Sequence, residues 1–208
     1  MSPGQQFQSM NHHSYKPVVC ACVLAAGTSS RFGATKLIQP YQGKPLVQNV
    51  LLAAKGACKG RVTLVVGHDQ EAVIEASDAY FDELVINRDY EDGIGTSIAA
   101  AAKACNEDTD AILIILGDQP LVTETHIRNV IDTWSGDENE IISTSFEGIT
   151  CPPILFPKKA LLALSRLQGD NGAKSLLANN DFVVSTIDFP PAGFDIDRPA
   201  DLHRPPLD

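Results

Sequence analysis

Residues 18–36 read VVCACVLAAGTSSRFGATK, and the fold turns on this stretch. Val18 to Leu24 is apolar without alternation, which predicts a strand covered on both faces, as in a parallel sheet. It runs into the small residues Ala25-Ala26-Gly27-Thr28-Ser29-Ser30. Small residues after a buried strand let a ligand approach the backbone, and successive N–H groups in such a turn form a concave anion site. Arg31 adds a bidentate donor and Lys36 a point charge, both suited to phosphate. The spacing is neither GxGxxG nor GxxxxGK[ST], so the dinucleotide and P-loop fingerprints are absent. An ordinary Gly/Ser turn with two solvated cations is the alternative reading.

Further strands and helices alternate outward from this stretch. A helix is predicted after Lys44, with Pro45 in its first turn and Leu46, Val50, Leu51 and Ala54 on one face. Residues 61–66 read as a strand, 69–80 as a helix with Asp69 as N-cap, and 83–87 as a strand. A helix is expected over 96–105. The most apolar strand, 110–116, ends at Gly117-Asp118-Gln119-Pro120, and Thr123 opens a helix to about Trp134. Strands follow at 140–146, 153–156 and 182–188, helices at 158–167 and 170–180, and a short terminal helix within 194–202. Strand–helix alternation means right-handed parallel βαβ units. The expected fold is therefore α/β: one Rossmann-like domain with a mostly parallel central sheet, an antiparallel late strand, and helices on both faces. Its boundaries are set at 17–203, with residues 1–16 a flexible leader and 204–208 a tail.

The formal charge of −10 argues against a general nucleic-acid or anionic-membrane binder, since those surfaces repel it. A small anionic ligand held by local cations remains compatible. The N-terminus is polar and lacks an apolar segment of signal-peptide type. Five cysteines occur without a CxxC pair, so their spacing does not point to structural zinc. Cys20 and Cys22 read as core residues on one strand face, and the overall reading is a reduced, cytoplasmic protein. No pair of histidines has ligand spacing, and no GxSxG pattern supports covalent catalysis.

Three further places carry chemistry. Asp118 ends a dry strand, where ligands bind in an open α/β sheet, and a carboxylate there suits Mg²⁺; a turn aspartate before Pro120 is the competing reading. Asp195 and Asp197 lie two apart, so one carboxylate can join Asp118 while the other caps the helix begun near Pro199. Ser97 falls early in a helix, where its hydroxyl and free N–H groups suit a base edge or simply cap the helix.

LAAGxSxRxGxxK at 24–36, followed by Gly43-Lys44-Pro45-Leu46, resembles the signature of the molybdenum-cofactor nucleotidyltransferases of the nucleotide-diphospho-sugar-transferase-like superfamily. The resemblance continues through NRDYEDGIGTS (87–97), LGDQPL (116–121), PILF (153–156), GDNGAK (169–174) and DIDRPADL (195–202), and the cytidylyltransferase branch is the nearest in pattern. It implies catalytic roles for Arg31 and Lys36. A nucleotide would be lined by Leu24, Ala25, Ala26, Gly27, Ser29, Gly93, Ser97 and Gly117. It assigns metal to Asp118 and Asp195, leaving Asp197 as the cap. Gln119, Pro120, Gly169, Asp170 and Lys174 would face the acceptor. Related cytidylyl enzymes have alanine at the position of Ala26 and guanylyl enzymes glycine; one methyl is worth about 1–3 kcal/mol in discrimination. Lys174 stands where the pattern has arginine, and Cys151 where it often has glycine.

The implied activity is Mg²⁺-dependent transfer of CMP from CTP to the terminal phosphate of molybdopterin or molybdenum cofactor, releasing pyrophosphate. A molybdoenzyme or its chaperone would receive the product, with neither nucleic acid nor membrane as partner. The competing readings are guanylyl or other nucleotidylyl transfer to a sugar or alditol phosphate, and a catalytically silent nucleotide-binding module.

Overall fold

The structure is a computed structural model that describes residues 17–58 and 60–203. The expected leader and tail lie outside these residues. In chain order the strands are β1 (Val19–Ala25), β2 (Pro40–Tyr41), β3 (Lys44–Pro45), β4 (Val62–Val66), β5 (Glu83–Ile86), β6 (Ala111–Leu116), β7 (Glu140–Phe146), β8 (Ile149–Pro157) and β9 (Val183–Asp188). The helices are α1 (Leu46–Ala57), α2 (Gln70–Ala76), α3 (Ile94–Ala104), α4 (Glu124–Thr133), α5 (Leu161–Leu164) and α6 (Lys174–Leu177). Short 3-10 turns join them, and β2 with β3 forms a small separate hairpin.

The seven remaining strands form one sheet in the order β5-β4-β1-β6-β8-β7-β9. All run parallel except β8, which is antiparallel to both β6 and β7. This is the expected mostly parallel sheet with its late antiparallel strand. Strand β1 is buried along its whole length because both faces are covered. Val19, Ala21, Val23 and Ala25 pack with α1 and α4, whereas Cys20, Cys22 and Leu24 pack with α3, α5 and α6. The stripe on α1 that faces this core, Leu46, Val50, Leu51 and Ala54, is fully buried, as its spacing predicts.

Departures from the sequence reading have local causes. Pro45 lies in β3, just ahead of α1, with non-helical ψ of 140°. Asp69 adopts the left-handed region and makes no cap bond; its carboxylate instead accepts the Thr35 hydroxyl. Helix α2 stops at Ala76, before Asp78 and Ala79, both with positive φ. Strand β8 begins four residues before the predicted 153. Glu147 and Gly148 form the hairpin with positive φ at both turn positions, as primed turns require. Pro152 and Pro153 lack ladder donors, and the register slips between Ser143 and Thr144 opposite them. The helices predicted at 158–167 and 170–180 shrink to single turns, α5 and α6.

Candidate active site

The chain leaves β1, builds β4 and β5 on one side, then returns to place β6 on the other. The strand order therefore reverses between β1 and β6, and the crevice beyond the carboxyl ends of such strands is where α/β sheets bind ligands. A cleft of about 390 Å³ opens there. Gly117 N donates to Leu24 O at 2.9 Å and ties the two strand ends together.

The loop after β1 forms one wall. Ser29 takes positive φ, and its carbonyl accepts from Phe32 N and Gly33 N at 2.9 and 3.2 Å. Phe32 is buried, which pins the far side of the loop to the core. Ser29 Oγ accepts from Lys36 N at 3.3 Å. Among the described residues the N–H groups of Gly27, Thr28, Ser30 and Arg31 have no hydrogen-bond acceptor. All four residues line the cleft, so the loop offers it backbone donors with no other acceptor, as an anion nest requires.

Lys36 is held at the centre. Its Nζ lies 2.6 Å from Asp118 Oδ2 and 3.2 Å from Asp197 Oδ1, with only 13% of the side chain exposed. Burial pulls its pKa down, but the charges and hydrogen bonds of Asp118 and Asp197 outweigh it and leave the pKa raised. Arg31 is 74% exposed and reaches Asp197 Oδ2 at 2.8 Å. Partial burial works against the Asp197 carboxylate, yet Lys36 and Arg31 hold it below the usual range.

Asp197 is therefore not the helix cap. Asp201 takes that role, its Oδ2 accepting from the N–H groups of Asp197 and Arg198 at 3.0 and 2.8 Å. Freed from capping, Asp197 turns to the two cations. Removal of its carboxyl from solvent and then the charge of Asp118 push Asp195 up to about 6, although the residue as a whole stays exposed. Ile196 N donates to Asp118 O at 3.2 Å, which brings the two carboxylate loops together. Among the described residues, Asp118, Asp195 and Asp197 do not form a trio with ligand oxygens all within 4.8 Å. A pair of oxygen donors, one from each loop, is what the arrangement offers a hard cation.

The opposite wall is the start of α3. Gly93 has a φ of 101°, and a Cβ on it would lie 2.4 Å from Asp170 Oδ1 and 2.5 Å from Gly169 C. Gly95 N donates to Gly169 O at 2.9 Å, so the 169–170 loop is fastened to this turn. Asn87, buried after β5, donates to Thr96 Oγ1 at 2.9 Å and to Ser97 Oγ at 3.0 Å. Thr96 spends its hydroxyl on Asp89 O and Gly93 O. Ser97 lines the cleft, its Oγ accepting from Asn87.

Of the expected residues, Leu24, Ala25, Ala26, Gly27, Ser29, Arg31, Lys36, Gly93, Ser97, Asp118 and Asp170 line this one cleft. Gly117, Pro120, Gly169, Lys174 and Asp195 are not among the residues that line it. Gln119 departs most from its acceptor-side expectation: it is buried, and its amide donates to Ala192 O at 2.9 Å. Burial, then the Asp195 charge, push the Cys151 thiol up to about 11, so it is no ready thiolate. Tyr90, Glu91 and Asp197 also line the cleft, yet the sequence reading gave them no ligand role. The first two sit in the 87–97 stretch, whose signal went to Gly93 and Ser97.

Residues 21–183 match the MobA-like NTP transferase domain family. The chain belongs to that family. Purine catabolism protein PucB of Bacillus subtilis is 31% identical over 182 residues, covering 82% of this chain and 86% of the relative. Nicotine blue oxidoreductase of Paenarthrobacter nicotinovorans is 27% identical over 200 residues, or 90% and 96% of the two chains. The bifunctional protein GlmU of Pelobacter propionicus is 38% identical over 106 residues, but this chain spans only 23% of its length. Among solved structures, Rv0371c of Mycobacterium tuberculosis in complex with manganese gives a TM-score of 0.73 at 26% identity, covering 88% and 95%. With the family goes its type of activity, nucleotidyl transfer. Among the described residues no helix is long and apolar enough to cross a membrane.

Proposed function

We propose that this protein transfers CMP from CTP to the terminal phosphate of a molybdopterin-type acceptor, releasing pyrophosphate, in the reducing cytoplasm. The observation that carries the reading is Lys36, fixed between Asp118 and Asp197 at the foot of a loop with open N–H donors. That loop suits a triphosphate: backbone donors take oxygens, Arg31 reaches in from solvent, and Lys36 supplies a buried positive charge. Phosphoryl chemistry of this kind asks for position and charge neutralisation rather than a nucleophilic side chain. None of the cleft-lining residues is a histidine or cysteine, which agrees.

Asp118 and Asp195 fit Mg²⁺, because both offer hard oxygen donors and their mutual repulsion is what a dication relieves. Such an ion, when bound, would neutralise charge on phosphate oxygens. The manganese complex of Rv0371c supports a divalent cation in the family. CTP is favoured by the methyl of Ala26 at the loop's closest approach, and the molybdopterin acceptor by the family and by the GDQP and GDNGA stretches. All five cysteines are free thiols, which suits a reducing compartment.

A thermal-shift series with CTP, GTP, ATP and UTP, each with and without Mg²⁺, tests the reading, since a ligand of the native state alone raises its stability by mass action. A shift largest for CTP with Mg²⁺ is expected, followed by pyrophosphate release with molybdopterin. Preference for GTP would overturn the base assignment, and no response to any triphosphate would overturn the whole reading.

A further inference from the structure

The parallel strands have a second end, away from the cleft, and three thiols meet there. Cys20 and Cys22 lie on the same face of β1, and Cys105 caps the C-terminus of α3, which runs back against that face. The three sulfurs all lie within 4.8 Å of one another, with Cys20 and Cys22 3.7 Å apart. A tetrahedral ion with metal–sulfur bonds of about 2.3 Å needs sulfurs about 3.8 Å apart, and a trigonal one about 4.0 Å. Little movement separates the thiols from such a triangle. Among the described residues it is the one group of three or more Cys, His, Asp or Glu whose ligand atoms lie this close.

Access and surroundings fit a cation. Cys22 is fully buried, but Cys20 forms part of the wall of a cavity of about 410 Å³ with Thr63, Arg61, Glu83, Asn106 and Asp108. Thr63 Oγ1 lies 3.5 Å from Cys20 Sγ, a polar neighbour for a ligating sulfur. Asp108 holds Arg61 at 3.0 and 2.6 Å, which anchors the guanidinium at the cavity wall. With Asp108 and Arg61 paired, the Glu83 carboxylate leaves the cavity wall net negative, which suits a cation.

We propose that Cys20, Cys22 and Cys105 form a trithiolate site for a thiophilic d¹⁰ cation of the zinc, cadmium or copper(I) class, entered from this cavity. The ion takes the three sulfurs as ligands, and each thiol that ligates gives its proton to solvent. Soft sulfur donors separate this site from the carboxylates of the cleft. The sequence reading had no access to it, because the third ligand arrives from the far end of another element. Helix α3 connects the two regions, with its first turn on the cleft and its last residue beside the thiols.

The test is titration of the reduced, chelator-treated full chain with Cd²⁺ under anaerobic conditions, read by thiolate-to-cadmium charge-transfer absorption. One ion per chain is expected. Cys105→Ser, at a half-buried position, should weaken binding by about 10–100-fold or more. Cys20→Ala should do the same, whereas Cys58→Ser, Cys151→Ser and Asp118→Asn should leave the titration unchanged. Circular dichroism checks that each variant is folded. The proposal is overturned if no charge-transfer band develops, if folded Cys105→Ser binds Cd²⁺ as tightly as the parent chain, or if the band is lost in Cys58→Ser or Cys151→Ser. The absorption reads sulfur ligation alone, so its outcome is independent of any nucleotide activity.

Discussion

Lys36 Nζ stands 2.6 Å from Asp118 Oδ2, although 82 positions separate the residues. The sheet makes the pair. Lys36 ends the loop after β1, Asp118 follows β6, and β1 and β6 are adjacent strands on which the chain reverses its order. With Asp197 on its other side, Lys36 faces two carboxylates in a partly buried setting, so its charge is held in place before any ligand arrives.

Replacing Lys36 by alanine should therefore remove activity without unfolding the chain. Loss of one preorganised electrostatic group costs about 10²–10³-fold in turnover. Lys36→Arg should rescue poorly, because a planar fork does not fit a site built around a point charge. Pyrophosphate release measures the first effect and a urea melt the second. Near-normal turnover in folded Lys36→Ala would remove Lys36 from the catalytic assignment.

Two glycines should separate fold from binding. A Cβ at Gly93 would collide with Asp170 and Gly169 in a backbone conformation that side chains avoid. Gly93→Ala is expected to cost about 1–3 kcal/mol and to loosen the 169–170 loop. A Cβ at Gly27 meets nothing within 4 Å. Gly27→Ala should melt like the parent chain but bind triphosphate more weakly, since the methyl occupies the space a phosphate would use. Paired melts and nucleotide titrations check both, and equal triphosphate affinity in Gly27→Ala would place the nucleotide elsewhere.

Ala26→Gly tests base choice. Ala26 is only 3% exposed, so its methyl acts through the shape of the loop rather than as a broad surface. The ratio of kcat/KM for CTP over GTP should fall by about tenfold, the low end of what one methyl gives. An unchanged ratio would move base selection to other cleft-lining residues, such as Tyr90 and Glu91.

The sheet was legible because hydrophobic runs such as 18–24 and 110–116 are strong, local signals. The loop at 24–36 was legible because small residues and cations sat together in sequence. What escaped depended on distant parts of the chain. Asp197 reads as a cap until Asp201 is seen to take the N–H groups. Gln119 reads as a ligand residue until Ala192 is seen to take its amide. Strand β8 reads as short because its prolines oppose a bulge that only the partner strand reveals. The predicted helices at 158–167 and 170–180 overran because periodicity does not report where a chain must turn to fasten a loop to α3.

His126 should make stability fall on mild acidification. Its ring stacks on Phe189 at 3.8 Å with 6° between planes, and it is 4% exposed. Thr144 donates its hydroxyl proton to Pro153 O at 2.9 Å, so its oxygen accepts from His126 Nε2 at 2.8 Å and the neutral Nε2–H tautomer is fixed. Burial pushes the His126 pKa down from 6.5 to about 4. The unfolded chain thus takes up this proton more readily than the native one. Stability is full above pH 6.5 and declines as pH falls toward about 4, by up to about 3 kcal/mol. His126→Gln cannot titrate and can still donate to Thr144, though it loses the stack. It should be less stable at pH 7 yet show a flatter profile between pH 7 and pH 4. Urea midpoints across that range decide the matter: parallel profiles for the two chains would mean that His126 does not carry the acid sensitivity.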